Sequence, residues 1–470
     1  MRTQAVTRGH LADILETQGE LDEALRIRCE ELLPFFEKSG DAHSRAVIQS
    51  QVTDILSRRG QMDEALRLLR EEVLPIFEHF GDVGWRAVTL GRVASILHEQ
   101  GQLDEALHIR REEELPVYEH LGNLHARTVT LGQIADILER KGQLDEALRI
   151  RREEMLPVFQ RLGDVYSWAV TMGNIADVWH ARGQLDEALR IRREEILPIF
   201  ERLGTVRDRA VTFGRIADVL EARGQMEEAL RIRREEELSI FIRLGDVRDQ
   251  AVTLGKIADV LQVRGQLDEA LRIHKEEVLP RVEHLGDVRS QMVTLGKISD
   301  ILQMRGQLAD ALHILREVLL PTFKRLGYLR DQLVTQGKMA DILQATGQTD
   351  EALNIWRNEL IPVFERLGDR RSRALTLGKV AHALEARQQW DEALQIRLTE
   401  ELPFYEYLDD VRELLVARAN VAVTLIRRGR PEELPIALEH LHGALTAARI
   451  HGYEVDAGKI ERILTKVSPC

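Results

Sequence analysis

Residues 246–286 read DVRDQAVTLGKIADVLQVRGQLDEALRIHKEEVLPRVEHLG. From Asp246 to Arg264 the apolar residues Val247, Ala251, Val252, Leu254, Ile257, Ala258, Val260 and Leu261 fall three and four apart, the spacing of one helix face. Asp246 stands where an N-cap belongs, since its carboxylate can accept an amide left free in the first turn. Gly265 is placed to end this helix in a left-handed conformation. A second stripe follows in Leu267, Ala270, Leu271, Ile273, Val278, Leu279, Val282 and Leu285. Gly286 closes it, and Asp287 opens the same pattern again. The stretch predicts two antiparallel helices joined by a tight turn.

The stretch is one copy of many. Gly-Gln-Leu-Asp-Glu-Ala-Leu or a close variant begins at Gly19, Gly60, Gly101, Gly142, Gly183, Gly224, Gly265, Gly306 and Gly347, always 41 residues apart. Gln388 and Gly429 continue the series to eleven copies. A second glycine series starts at Gly9, skips Ser50, and runs from Gly91 through Gly255 to Gly378, and a third runs from Gly40 to Gly368. Twenty-eight of the 32 glycines fall on these series, so glycine is repeat punctuation. The predicted units are 1–40, 41–81, 82–122, 123–163, 164–204, 205–245, 246–286, 287–327, 328–368, 369–409 and 410–452, with a capping helix and tail over 453–470. The fold class is all-α, a right-handed α-solenoid superhelix of about eleven antiparallel helix pairs with a C-terminal capping helix.

Pro280 sits deep in the second helix, where proline removes a hydrogen bond and crowds the preceding turn. Its equivalents are Pro34, Pro75, Pro116, Pro157, Pro198, Pro321, Pro362 and Pro403, with Ser239 the exception. A defect copied nine times is part of the design, and it predicts a kink or break there.

Composition narrows the function classes. The net charge is −13, which argues against an extended DNA or RNA backbone as the main partner. The two cysteines, Cys29 and Cys470, exclude a disulfide scaffold and a cysteine zinc site, and they suit a reducing compartment. No apolar run is long enough to span a bilayer, and residues 1–8 carry no apolar signal core. The expectation is a cytoplasmic protein without a membrane partner.

The positions Leu254, Ile257, Ala258, Leu261, Gly265 and Ala270 resemble the tetratricopeptide repeat, whose helix pair follows a large-x-x-large-small-x-x-large pattern, then Gly, then Ala. The 41-residue length and the Leu-Gly-Asp-Val junction resemble the kinesin-light-chain subtype. The resemblance covers residues 1 to about 450. It implies a scaffold that holds a protein or peptide in a concave groove lined by the first helices.

Several ladders could serve such a groove. Asp13, Asp54, Asp136, Asp177, Asp218, Asp259, Asp300 and Asp341 share one first-helix position, which the resemblance turns toward the groove. Three residues earlier stand Arg215, Lys256, Lys297 and Lys338, which allows either a charged, partner-gripping groove or solvated i, i+3 ion pairs. The mid-helix glycines of the Gly255 series imply close approach, either by a helix of the next unit or by a partner backbone. Arg207, Arg248, Arg289, Arg330, Arg371 and Arg412 form a candidate basic edge, or else pair with acids of adjacent units. Arg151 and Glu154, Arg192 and Glu195, and Arg233 and Glu236 lie three apart where the family buries side chains, which suggests buried pairs. His125, Tyr166, Trp168 and His180 break the repeat and are candidate partner anchors, unless they reflect drift between copies. Trp179 replaces a core leucine.

No catalytic residue, metal site or cofactor is expected. The sequence holds no Gly-x-x-x-x-Gly-Lys-Ser/Thr loop, no Gly-x-Ser-x-Gly elbow and no His-Glu-x-x-His. No aspartate pair has a distinct environment that would split its pKa values for acid–base work.

The ends differ. At Pro431 the register slips, a helix runs through Ala437 to Ile450, Gly452 turns the chain, and Asp456–Val467 forms a last helix. Met1 falls in the first turn of a repeat helix without the preceding Gly and Asp. This predicts that the chain is the C-terminal part of a larger protein, or that its start lies within a longer array; by analogy with bacterial signalling proteins that carry such arrays at their C-terminus, the resemblance implies a sensor or interaction arm. It also predicts end-to-end self-association through the uncapped unit. The functional expectation is a non-enzymatic protein- or peptide-binding scaffold. The alternatives are a structural spacer and a nucleic-acid-binding solenoid using the arginine edge.

Overall fold

The computed structural model describes residues 2–408 and 410–467. The readings that rest on Met1 and Cys470 lie outside the described residues. The described chain is helical, and its helix pairs make two compact units, residues 1–244 and 245–470. Within each, a second helix packs against its own first helix and against that of the next copy, as Leu267–Arg272 does against Val247–Val263 and Val288–Met304. This is the stacking of an α-solenoid.

The copy at 246–286 shows why the sequence folds this way. The Asp246 carboxylate accepts the backbone N–H of Asp249 at 3.1 Å and starts the helix Val247–Val263. The same cap recurs at Asp41, Asp82, Asn123, Asp164, Asp287, Asp369 and Asp410. Gly265 turns the chain at φ +75°, and where the series loses its glycine Gln388 still adopts φ 61°. Ala258 and Ala270 are fully buried, so the two helices meet on small side chains, with Leu254, Ile257, Leu261, Leu271 and Ile273 packed around them.

The second helix does not break at the proline. It runs as an α-turn over Leu267–Arg272, a π-helical segment over Ile273–Val278, and α again over Leu279–His284, with Pro280 in the first turn of that last piece. Ten copies carry such a π segment. The wider π turn lets the hydrogen-bond step change just before the residue that has no N–H to give. Proline fits this site and does not create it. The copy with Ser239 has the same π segment, Arg233–Glu237, and there the serine hydroxyl donates to the carbonyls of Glu235 and Glu236 at 2.6 and 3.0 Å.

The C-terminal segment follows the expected plan. A 3₁₀ turn at Pro431–Glu433 leads into Leu434–Ile450, Gly452 turns at φ 71°, and Glu454–Val467 packs Ala457, Ile460 and Leu464 onto the preceding helix. No helix among the described residues is long and apolar enough to cross a membrane.

Candidate functional site

The aspartate ladder is the organising charge of the first helices. Bases three residues earlier come near it at Arg215 and Asp218, 3.9 Å, and at His10 and Asp13, 4.0 Å, but the shorter ion pairs come from elsewhere. Some aspartates are held from within the copy by an arginine of the π segment. Arg28 meets Asp13 at 2.7 Å, Arg151 meets Asp136 at 2.5 Å, Arg192 meets Asp177 at 2.6 Å, and Arg233 meets Asp218. Others are held from the next copy. Arg92 forks both nitrogens onto Asp54 at 2.9 Å, Lys297 reaches Asp259 at 2.9 Å, Lys338 reaches Asp300 at 2.5 Å, and Lys379 reaches Asp341 at 2.7 Å.

The two modes alternate over part of the array, whereas Arg192 and Arg233 hold their aspartates from within although the next copies carry the basic Arg215 and Lys256. Where the second helix carries Leu69, His274, Leu315 or Trp356, the next copy supplies Arg92, Lys297, Lys338 or Lys379. Where it carries Arg28 or Arg151, the next copy has neutral Gln51 or Asn174. Where Ser95 and His382 replace the aspartate, Arg110 and Arg397 meet Glu114 and Glu401 in their own π segments at 2.6 and 2.8 Å, Arg397 also holding Glu385 of the first helix at 2.8 Å; Arg233 makes the equivalent pair with Glu237 while keeping Asp218. Burial pushes Glu114 and Glu401 above the usual carboxylate range against the pull of their arginines.

The buried arginines were expected to pair three residues along, and they do not. Arg151, 1% exposed, takes Asp136 and Glu139 of the first helix. Glu154 instead meets Arg149 and Arg127 on the outside, and Glu195 meets Arg190. In the π segment the buried side chain lies beneath the first helix, so the ladder aspartate fifteen positions earlier is nearer than the glutamate on its own outer face.

In three copies the mid-helix glycine makes room for a side chain of its own second helix, not for a helix of the next copy. A Cβ at Gly91, Gly214 or Gly378 would stand 2.7, 2.5 or 3.1 Å from a carboxylate oxygen of Glu114, Glu237 or Glu401, in the second helix of the same copy.

Between consecutive first helices lie equivalent hollows. One lies between Val83–Glu99 and Leu124–Arg140, one between Val247–Val263 and Val288–Met304, and one between Arg370–Ala386 and Val411–Arg428, of about 400, 390 and 400 Å³. The floors come from the second helix: Arg110, Glu114 and Tyr118; His274, Val278 and Val282; Arg397, Glu401 and Tyr405. Burial and nearby Glu413 push the Tyr405 phenol up to about 12, so it stays a neutral donor. The walls carry the aspartates, their cations and a valine. Val129, Val170, Val211, Val252, Val293 and Val334 occupy one position and are 40–59% exposed. This valine row was hidden in the sequence, because Val252 fits a helical core stripe as well as it fits an open face. Its signal was that it lies three residues before the glycine, on the same face.

The repeat-breaking residues separate. His125 is exposed and lines the hollow built on Arg110. Tyr166 is exposed, its ring 6.0 Å from Phe200 and its phenol hydrogen-bonded to Asp208. Trp168 is half-buried against Ala169, Ile199 and their neighbours, and it replaces an arginine that elsewhere bridges acids, as Arg127 does Glu119 and Glu154. The acid equivalent to Glu119 is Gln160 in the preceding copy, so tryptophan enters where that ion pair is given up. Trp179 fills core space under Arg152 and Arg182, whose guanidinium carbons lie 5.1 and 5.6 Å from its ring centroid. His180 is half-buried in the last turn of Val165–Ala181.

The arginine edge is largely engaged. Arg248 meets the cap Asp287 at 3.2 Å, Arg371 meets Asp410 at 4.0 Å, and Arg412 meets Asp456 at 3.6 Å. Arg207 and Arg330 sit in the first turns of Val206–Ala222 and Leu329–Ala345, and Arg289 lines the hollow above His274. Among the described residues no group of His, Cys, Asp and Glu is placed to hold a metal ion.

Two segments, residues 5–28 and 169–194, match the family model of the tetratricopeptide repeat. They fall in the first and fifth copies, and the 41-residue register makes the other copies the same unit. The matched segments and the shared register give the chain the fold of a tetratricopeptide-type helical solenoid. Among solved structures it is similar to a Signal Transduction ATPase with Numerous Domains protein with a tetratricopeptide repeat sensor from Pyrococcus horikoshii, at 14% identity over 78% of this chain and 55% of that one, with a TM-score of 0.52. It is also similar to kinesin light chain repeats from Podosopora anserina, at 20% identity over 43% of this chain and 98% of that one, TM-score 0.37. BtubC from P. vanneervenii is similar at 18% identity over 49% of this chain and 92% of that one, TM-score 0.40. No curated protein sequence matches the chain.

Proposed function

We propose that the chain is a non-enzymatic scaffold that holds an extended polypeptide along the face of its first helices. The observation that carries this reading is the recurring hollow between consecutive first helices, floored by the second helix and edged by a half-exposed valine. Half-exposed apolar groups beside fixed charges offer both area to bury and polar atoms to orient a partner. A role as the sensor arm of a larger signalling protein draws support from the likeness in fold to the Pyrococcus horikoshii protein with a repeat sensor. The nucleic-acid alternative has less support, because Arg248 and Arg371 are engaged by helix caps. End-to-end pairing is supported by Val6 and Ile14, which are half exposed in the helix Arg2–Thr17, and sedimentation at several concentrations tests it.

The scaffold reading is tested by a photo-crosslinking residue placed at Val293, in the hollow, or at Lys275, on the outer side of the second helix. Crosslinks to polypeptide from position 293 and none from 275 are expected. Equal labelling at both, or none at either, favours the spacer alternative.

A further inference from the structure

The hollow between Val247–Val263 and Val288–Met304 has a floor unlike its equivalents. Tyr118 and Tyr405 floor the other two hollows, and their register position is aromatic in nine of the first ten copies, as at Phe77, Phe200 and Phe323. The seventh copy alone departs, with Val282. His274 is likewise the one histidine at its position, where Arg110 and Arg397 stand in the other two hollows. The ion pairs Arg110–Glu114 and Arg397–Glu401 therefore have no counterpart here, because the next floor residue is Val278. One copy has lost a ring and an ion pair from the same floor. What remains is a buried apolar bed, Val278 and Val282, below the half-exposed valines Val252 and Val293.

A second observation marks the same place. His274 lines this hollow, is 3% exposed, and has no hydrogen-bond partner on either ring nitrogen. Asp259 lies 4.0 Å away and already holds Lys297. Burial pushes the imidazole below the ordinary histidine range, so at pH 7 it is neutral, with one N–H to donate and one nitrogen to accept. Leaving that N–H unmet costs free energy that a bound acceptor would recover. The charged groups that line the hollow are Arg248, Lys256, Arg289 and Lys297 against Asp249, Asp259 and Asp287, a balance that favours an anion over a cation.

We propose that this hollow is a binding site for a small aromatic carboxylate. The ring lies on Val278 and Val282, in the space that the other copies fill with a ring of their own, and the carboxylate accepts the N–H of His274. The volume of about 390 Å³ falls in the range of small-molecule sites. A ring seated there recovers the apolar burial that valine gives up. The site belongs to one copy, whereas the scaffold face recurs along the array, and it does not depend on the scaffold reading.

The test is titration of the full chain with benzoate, phenylacetate and 3-phenylpropanoate, followed by ligand-observed NMR. At least one acid is expected to bind with a Kd of about 1 mM or tighter, an ordinary efficiency for about ten non-hydrogen atoms. Hexanoate, a carboxylate without a ring, and 3-phenylpropylamine, a ring with a cation, are each expected to bind at least about tenfold more weakly. V282F restores the ring that the other copies carry. It is expected to unfold at or above the wild-type temperature while weakening the acid at least about tenfold. H274L, which places at 274 the residue found at 69 and 315, is expected to weaken it about tenfold through the lost hydrogen bond. Failure of all three acids to bind, or equal binding to V282F and wild type, overturns the proposal and leaves the scaffold reading standing. Equal binding of hexanoate overturns the ring assignment, and equal binding of the amine overturns the carboxylate assignment. Undiminished binding to H274L removes the histidine from the site.

Discussion

Lys297 Nζ lies 2.9 Å from Asp259 Oδ1 across the boundary between two copies, whereas Arg151 reaches Asp136 at 2.5 Å inside one. The same ladder position is neutralised from outside in one case and from beneath in the other, and burial makes the two energetically different. Lys297 is well exposed, so its pair is screened by water and salt. Arg151 is buried, and its guanidinium depends on its acids. We expect Lys297→Ala to cost about 0.5 kcal/mol or less, and less still in high salt. Removing both Asp136 and Glu139 as alanines should cost about 3 kcal/mol, because it strands a buried charge. Arg151→Leu should stay within about 1 kcal/mol of wild type, since it removes that charge and leaves the acids to water. Thermal unfolding followed by circular dichroism, with and without salt, separates the three.

Gly91 and Gly255 should respond oppositely to the same change. Gly255→Ala gains helix propensity in open space and should stabilise by up to about 1 kcal/mol. Gly91→Ala pushes its Cβ onto Glu114, which is tied to Arg110, and should forfeit that gain or lose stability. The sign of the shift in unfolding temperature for the pair is the readout.

The cap aspartates give the array its acid sensitivity. Bonds from first-turn N–H groups hold the Asp82, Asp164, Asp287 and Asp369 carboxyls below their ordinary value of 3.8. A depressed folded-state pKa contributes stability that is present above the unfolded value and lost as pH falls through the folded one. Unfolding temperature should therefore drop below about pH 4. Asp287→Ala should cost about 1 kcal/mol at neutral pH and flatten that drop. An unchanged acid limb in the variant would contradict the assignment.

Trp168→Ala and Tyr166→Ala should part company. Trp168 packs against the core of its copy, and its truncation should cost about 2 kcal/mol, less than for a fully buried tryptophan. Tyr166 is exposed and should change stability by less than about 0.5 kcal/mol. A partner lost in Tyr166→Ala and kept in Trp168→Ala would mark Tyr166 as the contact.

Much of the fold was legible because each signal is local and copied. The caps at Asp246 and Asp287, the turns at Gly265 and Gly286, and the buried face of Leu254, Ile257 and Leu261 follow from spacing within a few residues. The π segment was not legible. Pro280 announces that a helix must adjust but not how, and the Ser239 copy shows that the adjustment does not need proline. The ion pairs were misread for a related reason. The i, i+3 reading sees only one helix, yet Asp136 is answered fifteen residues later and Asp259 thirty-eight residues later, distances set by packing. The alternation of Arg28 and Arg151 against Arg92, Lys297 and Lys338 was in part written in the sequence, as a compensation between columns one copy apart that fails at Arg192 with Arg215 and at Arg233 with Lys256. The hollow face was hidden because a valine row reads as core until the second helix is placed beneath it.

The most direct test of the central claim is protection of a cysteine placed on the first-helix face. In a background lacking Cys29 and Cys470, Val293→Cys and Lys275→Cys are alkylated with and without a saturating library-selected peptide. The scaffold account predicts that the peptide slows alkylation at position 293 at least about tenfold, as occupancy by a tight ligand requires, and leaves position 275 unchanged. Protection at 275 with none at 293 would place the partner on the opposite side and contradict it.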